Sequence, residues 1–413
     1  MKILLLHQYF LAKNQGGGSR FNEMAKIWSD EGHEITVISS WPNFSAKRDP
    51  KYKGKYVFHE KDHYKNVDVF RCHVSNSSSK PNFFSRIWGY FSFVFSSTWA
   101  GLFKVKGKYD LLIVTSPPLF LAIPAYILSS VKRIPLIFEV RDLWPESAID
   151  TGMISNSLLI KFSYWFEKTI YKKAKLINVL TPAFKKKLIE NKNVPAEKII
   201  YIPNASDFSL AEKVAQDFDA RKFRVEQGID DKFVITYIGA HGIANHLIQL
   251  IDTAERLQDT NVLIQLVGGG MTKDALMEEV ESRKLQNVRF VDFVPKEKAF
   301  EYILASDLGA SVLKKVDTFK TIYSNKTFDY MSCKKPILLA IDGVSRQLVE
   351  EADCGVFAEP ENPDDIAKKI RQYLHGDYDI KQQGENGYSH AKEHFDRNKL
   401  AHKYLKEMQR AVK

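Results

Sequence analysis

Two successive series of short apolar runs, each followed by a stretch of helical period, constrain this chain more than any other feature. A run of four to six Val, Ile, Leu and Phe residues suits a strand buried on both faces. A helix between one such strand and the next is the pattern of βαβ units on a parallel sheet. In the first series the runs fall at 2–7, 34–39, 67–73, 111–115, 136–139, 176–180 and 199–202, with helices expected at 19–31, 118–131, 157–174 and 183–191. The polar segment 204–227 has no strong strand signal, and a second series follows at 233–238, 262–267, 288–290, 308–311, 337–340 and 356–357. The expected organisation is two doubly wound α/β domains, 1–205 and 206–390, with a terminal amphipathic helix in 391–413 packing back on the first. Such sheets bind ligands beyond the carboxyl ends of their strands, so two of them facing each other would share a cleft.

The 413 residues, 44% hydrophobic and 27% charged, fit a cored protein of this size and exclude disordered, collagen-like and coiled-coil classes. Cys72, Cys333 and Cys354 lie far apart, which supports neither a disulfide framework nor a thiolate zinc site and suits a reducing compartment. The apolar run 3–6 is too short for a signal-peptide core and reads as a first strand. The uncharged stretch 111–131 is broken by Pro117, Pro118 and Pro124, and 87–103 falls short of the roughly 20 residues a spanning helix needs. A cytoplasmic location is therefore expected. The net charge of +10 is uneven: residues 1–200 hold 30 Lys and Arg against 16 Asp and Glu, leaving 30 against 34 for the remainder. An anionic partner for the first half follows.

Four loops at predicted strand ends carry candidate chemistry. Residues 14–20 include three consecutive glycines, Gly16, Gly17 and Gly18, then Ser19 and Arg20 opening a helix, a plausible anion cradle without dinucleotide-fingerprint spacing. Gly239, Ala240, His241 and Gly242 repeat the device after the first strand of the second series. At 324–329, Ser324 is a good N-cap, Lys326 stands in a first turn where a cation asks for a compensating anion, and Asp329 follows one turn later. Phosphate at the amides and ribose hydroxyls at the carboxylate together describe a nucleoside diphosphate. At 138–146, Glu139, Arg141, Asp142 and Glu146 cluster beside Trp144, with a structural pair of Arg141 with Asp142 or Glu139 as the plain alternative.

A fifth feature points to a surface. Phe83, Phe84, Trp88, Tyr90, Phe91, Phe93, Phe95 and Trp99 fall in one segment whose only charge is Arg86, and residues 161–198 hold ten Lys against three Glu. An interfacial helix beside a basic face suits docking to anionic lipid, with Phe84, Trp88 and Phe91 as the inserting residues.

These loops, with the run 31–37 (Glu-Gly-His-Glu-Ile-Thr-Val), the segment 141–147 (Arg-Asp-Leu-Trp-Pro-Glu-Ser), 239–244 and 324–331, resemble the family-4 glycosyltransferases, retaining enzymes of the GT-B fold, over nearly the whole chain. The nearest likeness is to the subgroup that assembles bacterial O-antigen and capsule repeat units, L-fucosamine transferases among them. The resemblance implies transfer of a sugar, an N-acetylated amino or deoxyamino sugar such as N-acetyl-L-fucosamine, from a UDP-sugar to a polyprenyl-diphosphate-linked saccharide at the inner face of the plasma membrane. It implies no cofactor, no metal and no nucleic acid, and no D-x-D sequence stands in a suitable loop. The implied catalytic set is Arg141, Asp142, His241 and Lys326. Donor contacts fall on Gly239, Gly242, Phe293, Val294, Lys320, Ser324, Asn325, Lys326 and Asp329, and acceptor contacts on Gly17, Gly18, Ser19 and Arg20. The chain departs from the family pattern where a first glutamate becomes Thr321, where the diphosphate-binding Arg and Lys become Ala240 and Asn245, and where a histidine becomes Arg141. Lys320, Lys326 and His241 are the available substitutes. A sugar-nucleotide epimerase of the same architecture, a nucleic-acid binder and a non-catalytic anion-binding scaffold are the competing readings.

Overall fold

The computed structural model of the chain describes residues 1–12, 20–42, 52, 54–75, 83–150 and 154–413, with side chains in the 83–99 helix described from residue 88. It divides into two compact units, Met1–Pro203 with Asn398–Lys413, and Asn204–Arg397.

The first unit holds an eight-stranded sheet: β1 (Lys2–Leu6), β2 (Glu34–Ser40), β3 (Val57–Tyr64), β4 (Val67–Cys72), β5 (Leu111–Ser116), β6 (Leu136–Val140), β7 (Leu176–Val179) and β8 (Ile199–Tyr201). Its order is β3-β4-β2-β1-β5-β6-β7-β8. Every neighbouring pair is parallel except β3 with β4. Ile3–Leu6 and Leu111–Val114 are fully buried because helices cover both faces, which is why these strands read as unbroken apolar runs. The order reverses between β1 and β5, and doubly wound sheets bind ligands beyond the strands' carboxyl ends at such a switch point.

The second unit holds β9 (Phe233–Ile238), β10 (Val262–Val267), β11 (Val288–Val291), β12 (Leu308–Val312), β13 (Ile337–Ala340) and β14 (Gly355–Phe357), in the order β11-β10-β9-β12-β13-β14 and parallel throughout. Its switch point lies between β9 and β12. The polar segment before β9 forms two helices, Phe208–Asp217 and Ala220–Gln227, N-capped by Asp207 and Asp219, whose carboxylates accept from Leu210 N and Lys222 N.

The chain enters and leaves the second unit side by side, through a bridge of Ser206 with Asp396 and a bond from Arg397 Nη2 to Ala205 O at 2.6 Å. The sequence boundaries at 206 and 391 therefore move to 204 and 398. Phe395 packs against Phe328 with ring centroids 4.7 Å apart and tilted by 37°, and helix Ile380–His394 lies on helix Asn325–Ser332, which keeps residues 391–397 with the second unit. Helix Arg397–Val412 covers the first unit's helix Arg20–Asp30: Trp28 donates to Ala401 O at 3.0 Å and meets the Tyr404 ring edge-on at 5.6 Å. No helix among the described residues is long and apolar enough to cross a membrane.

Candidate active site

In the second unit three segments meet beyond the β9 and β12 ends. The 239–242 loop leaves β9, and Gly239 N bonds Val267 O while His241 N bonds Gly269 O at 2.9 Å. Thr272 returns two bonds to the His241 carbonyl, from its N and its Oγ1. This stacking of two loops needs bare glycine backbone. A side chain at Gly268 would overlap the Gly239 carbonyl and one at Gly270 the His241 carbonyl, and both residues have positive φ, +138° and +156°.

Helix Asn325–Ser332 supplies the third segment. Tyr330 anchors it: the fully buried ring fills space left by Gly309 on β12, and its hydroxyl accepts from Ile238 N and lies 2.9 Å from Ala310 O. Ser324 occupies the N-cap position without a side-chain capping bond. Its Oγ instead accepts from Lys326 Nζ at 3.3 Å and leaves the first-turn amides uncapped by this residue. Lys326 is half-buried, with its Cε 3.5 Å from where a Gly239 Cβ would lie and its ammonium 4.9 Å from the Tyr237 ring centroid. Burial pushes its pKa down to about 8, against an upward pull from Asp329 one turn along. A cation so placed beside uncapped amides and bare glycine backbone is built to meet an anion.

Several sequence assignments change. His241 is fully buried with neither ring nitrogen hydrogen-bonded, packed between Tyr237 and Phe290. Burial and then Lys273 push its pKa down to about 4, so it is a neutral loop anchor and supplies no charge to a ligand. Lys320 is exposed and paired with Asp317 at 2.9 Å within the short turn Asp317–Thr321, which takes it away from the phosphate-binding role. Val294 packs into an apolar cluster with Phe223, Val267 and Tyr302. Phe293 beside it is exposed, as is Asn325, while Gly242 leads into the turn Ile243–Asn245 and Asp329 is half-buried. Sequence reasoning missed Tyr237, Gly268, Gly270, Lys273 and Tyr330. The run 268–270 repeats the apolar-run-then-glycines signal of 16–18 and could have been found.

In the first unit Gly17, Gly18 and Ser19 lie outside the described residues. Arg20 does not face a ligand. Its buried guanidinium pairs with Glu139 through Nε–Oε1 at 3.1 Å and Nη2–Oε2 at 3.3 Å, and its remaining donors reach the Ile202 and Pro203 carbonyls. Glu139 thus pairs with Arg20, and Asn178 Nδ2 also donates to it. Beyond the β6 end, burial pushes the Asp142 pKa up to about 6, opposed by hydrogen bonds from Ser147 and Leu143 N. Arg141 N bonds Ser116 O, and its charge adds to burial in holding His7 well below the usual imidazole range. His7, which sequence reasoning passed over, lies at the switch point with Nδ1 2.7 Å from Thr115 Oγ1. Among the described residues no group of three or more His, Cys, Asp or Glu side chains is arranged to hold a metal ion.

Both sheets reverse strand order, and at the second reversal a cation stands over stacked glycine loops, the kind of place where doubly wound folds bind ligands. Residues 15–205 match the glycosyl transferase 4-like domain and residues 219–390 the glycosyl transferases group 1 domain. The chain is a glycosyltransferase of the GT-B fold, combining these two domains. It is 25% identical over 303 residues to WcaI of Escherichia coli K12, named provisionally as a colanic acid biosynthesis glycosyl transferase, a match covering 70% of this chain and 71% of the relative. Among solved structures, sucrose-phosphate synthase of Thermosynechococcus elongatus superposes with a TM-score of 0.74 at 15% identity, covering 99% and 98% of the two chains. HepE of Anabaena, solved in complex with UDP, superposes with a TM-score of 0.71 at 20% identity, covering 99% and 100%.

Proposed function

We propose that this enzyme transfers a sugar from a UDP-sugar to a polyprenyl-diphosphate-linked saccharide with retention of anomeric configuration, in the synthesis of a bacterial cell-surface polysaccharide. The observation that carries this reading is Lys326 beside the uncapped start of its helix, over the 239–242 and 268–272 loops, with Asp329 one turn further on. Diphosphate at the ammonium and amides, and ribose hydroxyls at the carboxylate, would place a nucleotide along this helix. The name of WcaI and the UDP held by HepE agree with it. In this reading the second unit binds donor and the first binds acceptor and membrane, with an N-acetylated deoxyamino sugar such as N-acetyl-L-fucosamine as the transferred group.

The acceptor hydroxyl attacks the anomeric carbon on the face the diphosphate leaves, and a donor phosphate oxygen takes its proton, so no enzyme nucleophile is required. Lys326 stabilises charge on the departing diphosphate without a metal. Arg141 and Asp142 border the acceptor's path, and Asp142, ionising near pH 6, orients the attacking hydroxyl once charged.

A panel of UDP-sugars with a lipid-diphosphate saccharide, read by mass, tests the transfer, and UDP released with no glycosylated product counts against it. Asp329→Ala is expected to weaken donor binding by about 1–3 kcal/mol through the lost ribose contact. Titration calorimetry with UDP checks this, and unchanged affinity removes the assignment. Because the Lys326 pKa lies near 8, the free enzyme carries the charge below that pH and loses it above. UDP affinity should fall as pH rises from 7 to about 9, and Lys326→Arg should flatten that fall; a wild-type affinity indifferent to pH over this range contradicts the role.

At the membrane face, Trp88, Phe95, Trp99 and Phe103 are exposed and fall at helical spacing on helix Phe83–Trp99 and the π-helical turn after it. Phe91 instead turns inward onto Phe120, ring centroids 4.9 Å apart, and the Phe84 side chain lies outside the described residues. The inserting set is therefore redrawn around Trp88, Phe95 and Trp99.

A further inference from the structure

A second surface lies two helices away. Helix Phe83–Trp99 packs on helix Ala122–Val131, which packs on helix Ser157–Lys173. The last is N-capped by Asn156, whose side chain accepts from Leu158 N and Leu159 N. Along it run three parallel stripes, two exposed and one, with Glu167 and Tyr171, mostly buried. Leu158, Phe162 and Trp165 form an apolar one, with Trp165 61% exposed. Beside it stand exposed Lys161, Lys168 and Lys172, and beyond them Tyr164, Glu167 and Tyr171 line a cavity of about 650 Å³ closed by residues 191–198. An apolar stripe flanked by lysines lets the aromatic rings enter hydrocarbon while the ammonium groups stay at the headgroup level.

The cavity has its own chemistry. Lys192 joins Glu146 at 2.7 Å and Glu167 at 2.6 Å and lies 5.2 Å from the Tyr164 ring centroid. Lys198 bonds the last-turn carbonyl of Lys172 at 3.0 Å. Glu146 Oε2 is buried with no hydrogen-bond partner among the described residues. Lysines at the rim suit a phosphate, and an unpartnered carboxylate oxygen suits a hydroxyl donor. The cavity runs from residues 191–198, which precede β8, to Glu146 on the segment that follows β6.

We propose that this cavity is a headgroup site for a hydroxyl-bearing anionic glycerophospholipid of the bilayer, with its chains along Leu158, Phe162 and Trp165. The proposal rests on the membrane-associated reading above and deepens it: the enzyme docks through a particular lipid at this helix.

The test is co-sedimentation with phosphatidylcholine vesicles containing either phosphatidylglycerol or phosphatidylmethanol, which carry the same charge with and without headgroup hydroxyls. Wild-type protein should bind the phosphatidylglycerol vesicles several-fold more tightly. Lys168→Gln with Lys172→Gln should weaken that binding roughly thirtyfold. Phe162→Ser with Trp165→Ser should release the protein, and all variants should keep wild-type UDP binding as the control for folding. Equal binding of the two lipids, or variants that bind like wild type, overturns the proposal. If only Trp88→Ser with Phe95→Ser and Trp99→Ser releases the protein, the membrane reading stands and this site falls. If the wild type binds no vesicle, both fall.

Discussion

Lys326→Ala is expected to lower the rate of sugar transfer by about 10²–10³ while weakening UDP binding far less. The reason is where the charge stands. Burial and the Tyr237 ring hold the ammonium on a fixed path between Ser324 and Gly239, so little reorganisation is needed as charge gathers on the leaving diphosphate. A preorganised charge of this kind acts on the transition state, and removing one such donor from an enzyme typically lowers turnover by about 10²–10³. Stopped-flow or steady-state kinetics with saturating donor separates the two effects. A wild-type rate in the variant would hand the role to Lys273, which bonds the Gly268 carbonyl at 3.2 Å from the same loop pair.

Glu139→Ala should destabilise the first unit by about 3–5 kcal/mol, because it strands the Arg20 guanidinium in a site where Arg20 is 3% and Glu139 0% exposed. Arg20→Met with Glu139→Leu should be far less harmful, since it removes both charges together. All six tryptophans, Trp28, Trp41, Trp88, Trp99, Trp144 and Trp165, lie in the first unit, so urea unfolding followed by tryptophan fluorescence reports on that unit alone. A Glu139→Ala midpoint equal to wild type would mean that Arg20 is held by the Ile202 and Pro203 carbonyls without its carboxylate.

Most of the parallel strands were legible because they are buried on both faces, so that 3–6 and 111–114 read as apolar runs, while parallel β11 at the sheet edge is only half-buried. β3 was not. It is an antiparallel edge strand, mostly half-buried or exposed, and its sequence Val-Phe-His-Glu-Lys-Asp-His-Tyr shows neither an apolar run nor clean alternation. The start of helix Asn325–Ser332 could be read from Ser324 and Lys326 because capping and dipole rules act along a few neighbouring residues. Arg20 and His241 could not. What distinguishes a charge offered to a ligand from one buried against Glu139, 119 positions away, is a long-range contact, and no local spacing encodes it. The neutral state of His241 depends likewise on Tyr237 and Phe290 closing over it from β9 and β11.

The most direct test of the central claim is the anomeric configuration of the product. Enzyme, UDP-sugar and a short-chain lipid-diphosphate saccharide are incubated in the presence of EDTA, and the new linkage is read from its anomeric proton–proton and carbon–proton couplings. One added sugar with the donor's anomeric configuration is expected, formed without divalent metal and abolished in Lys326→Ala together with Asp329→Ala. An inverted linkage, a dependence on divalent metal, or UDP accompanied only by free or epimerised sugar would contradict it.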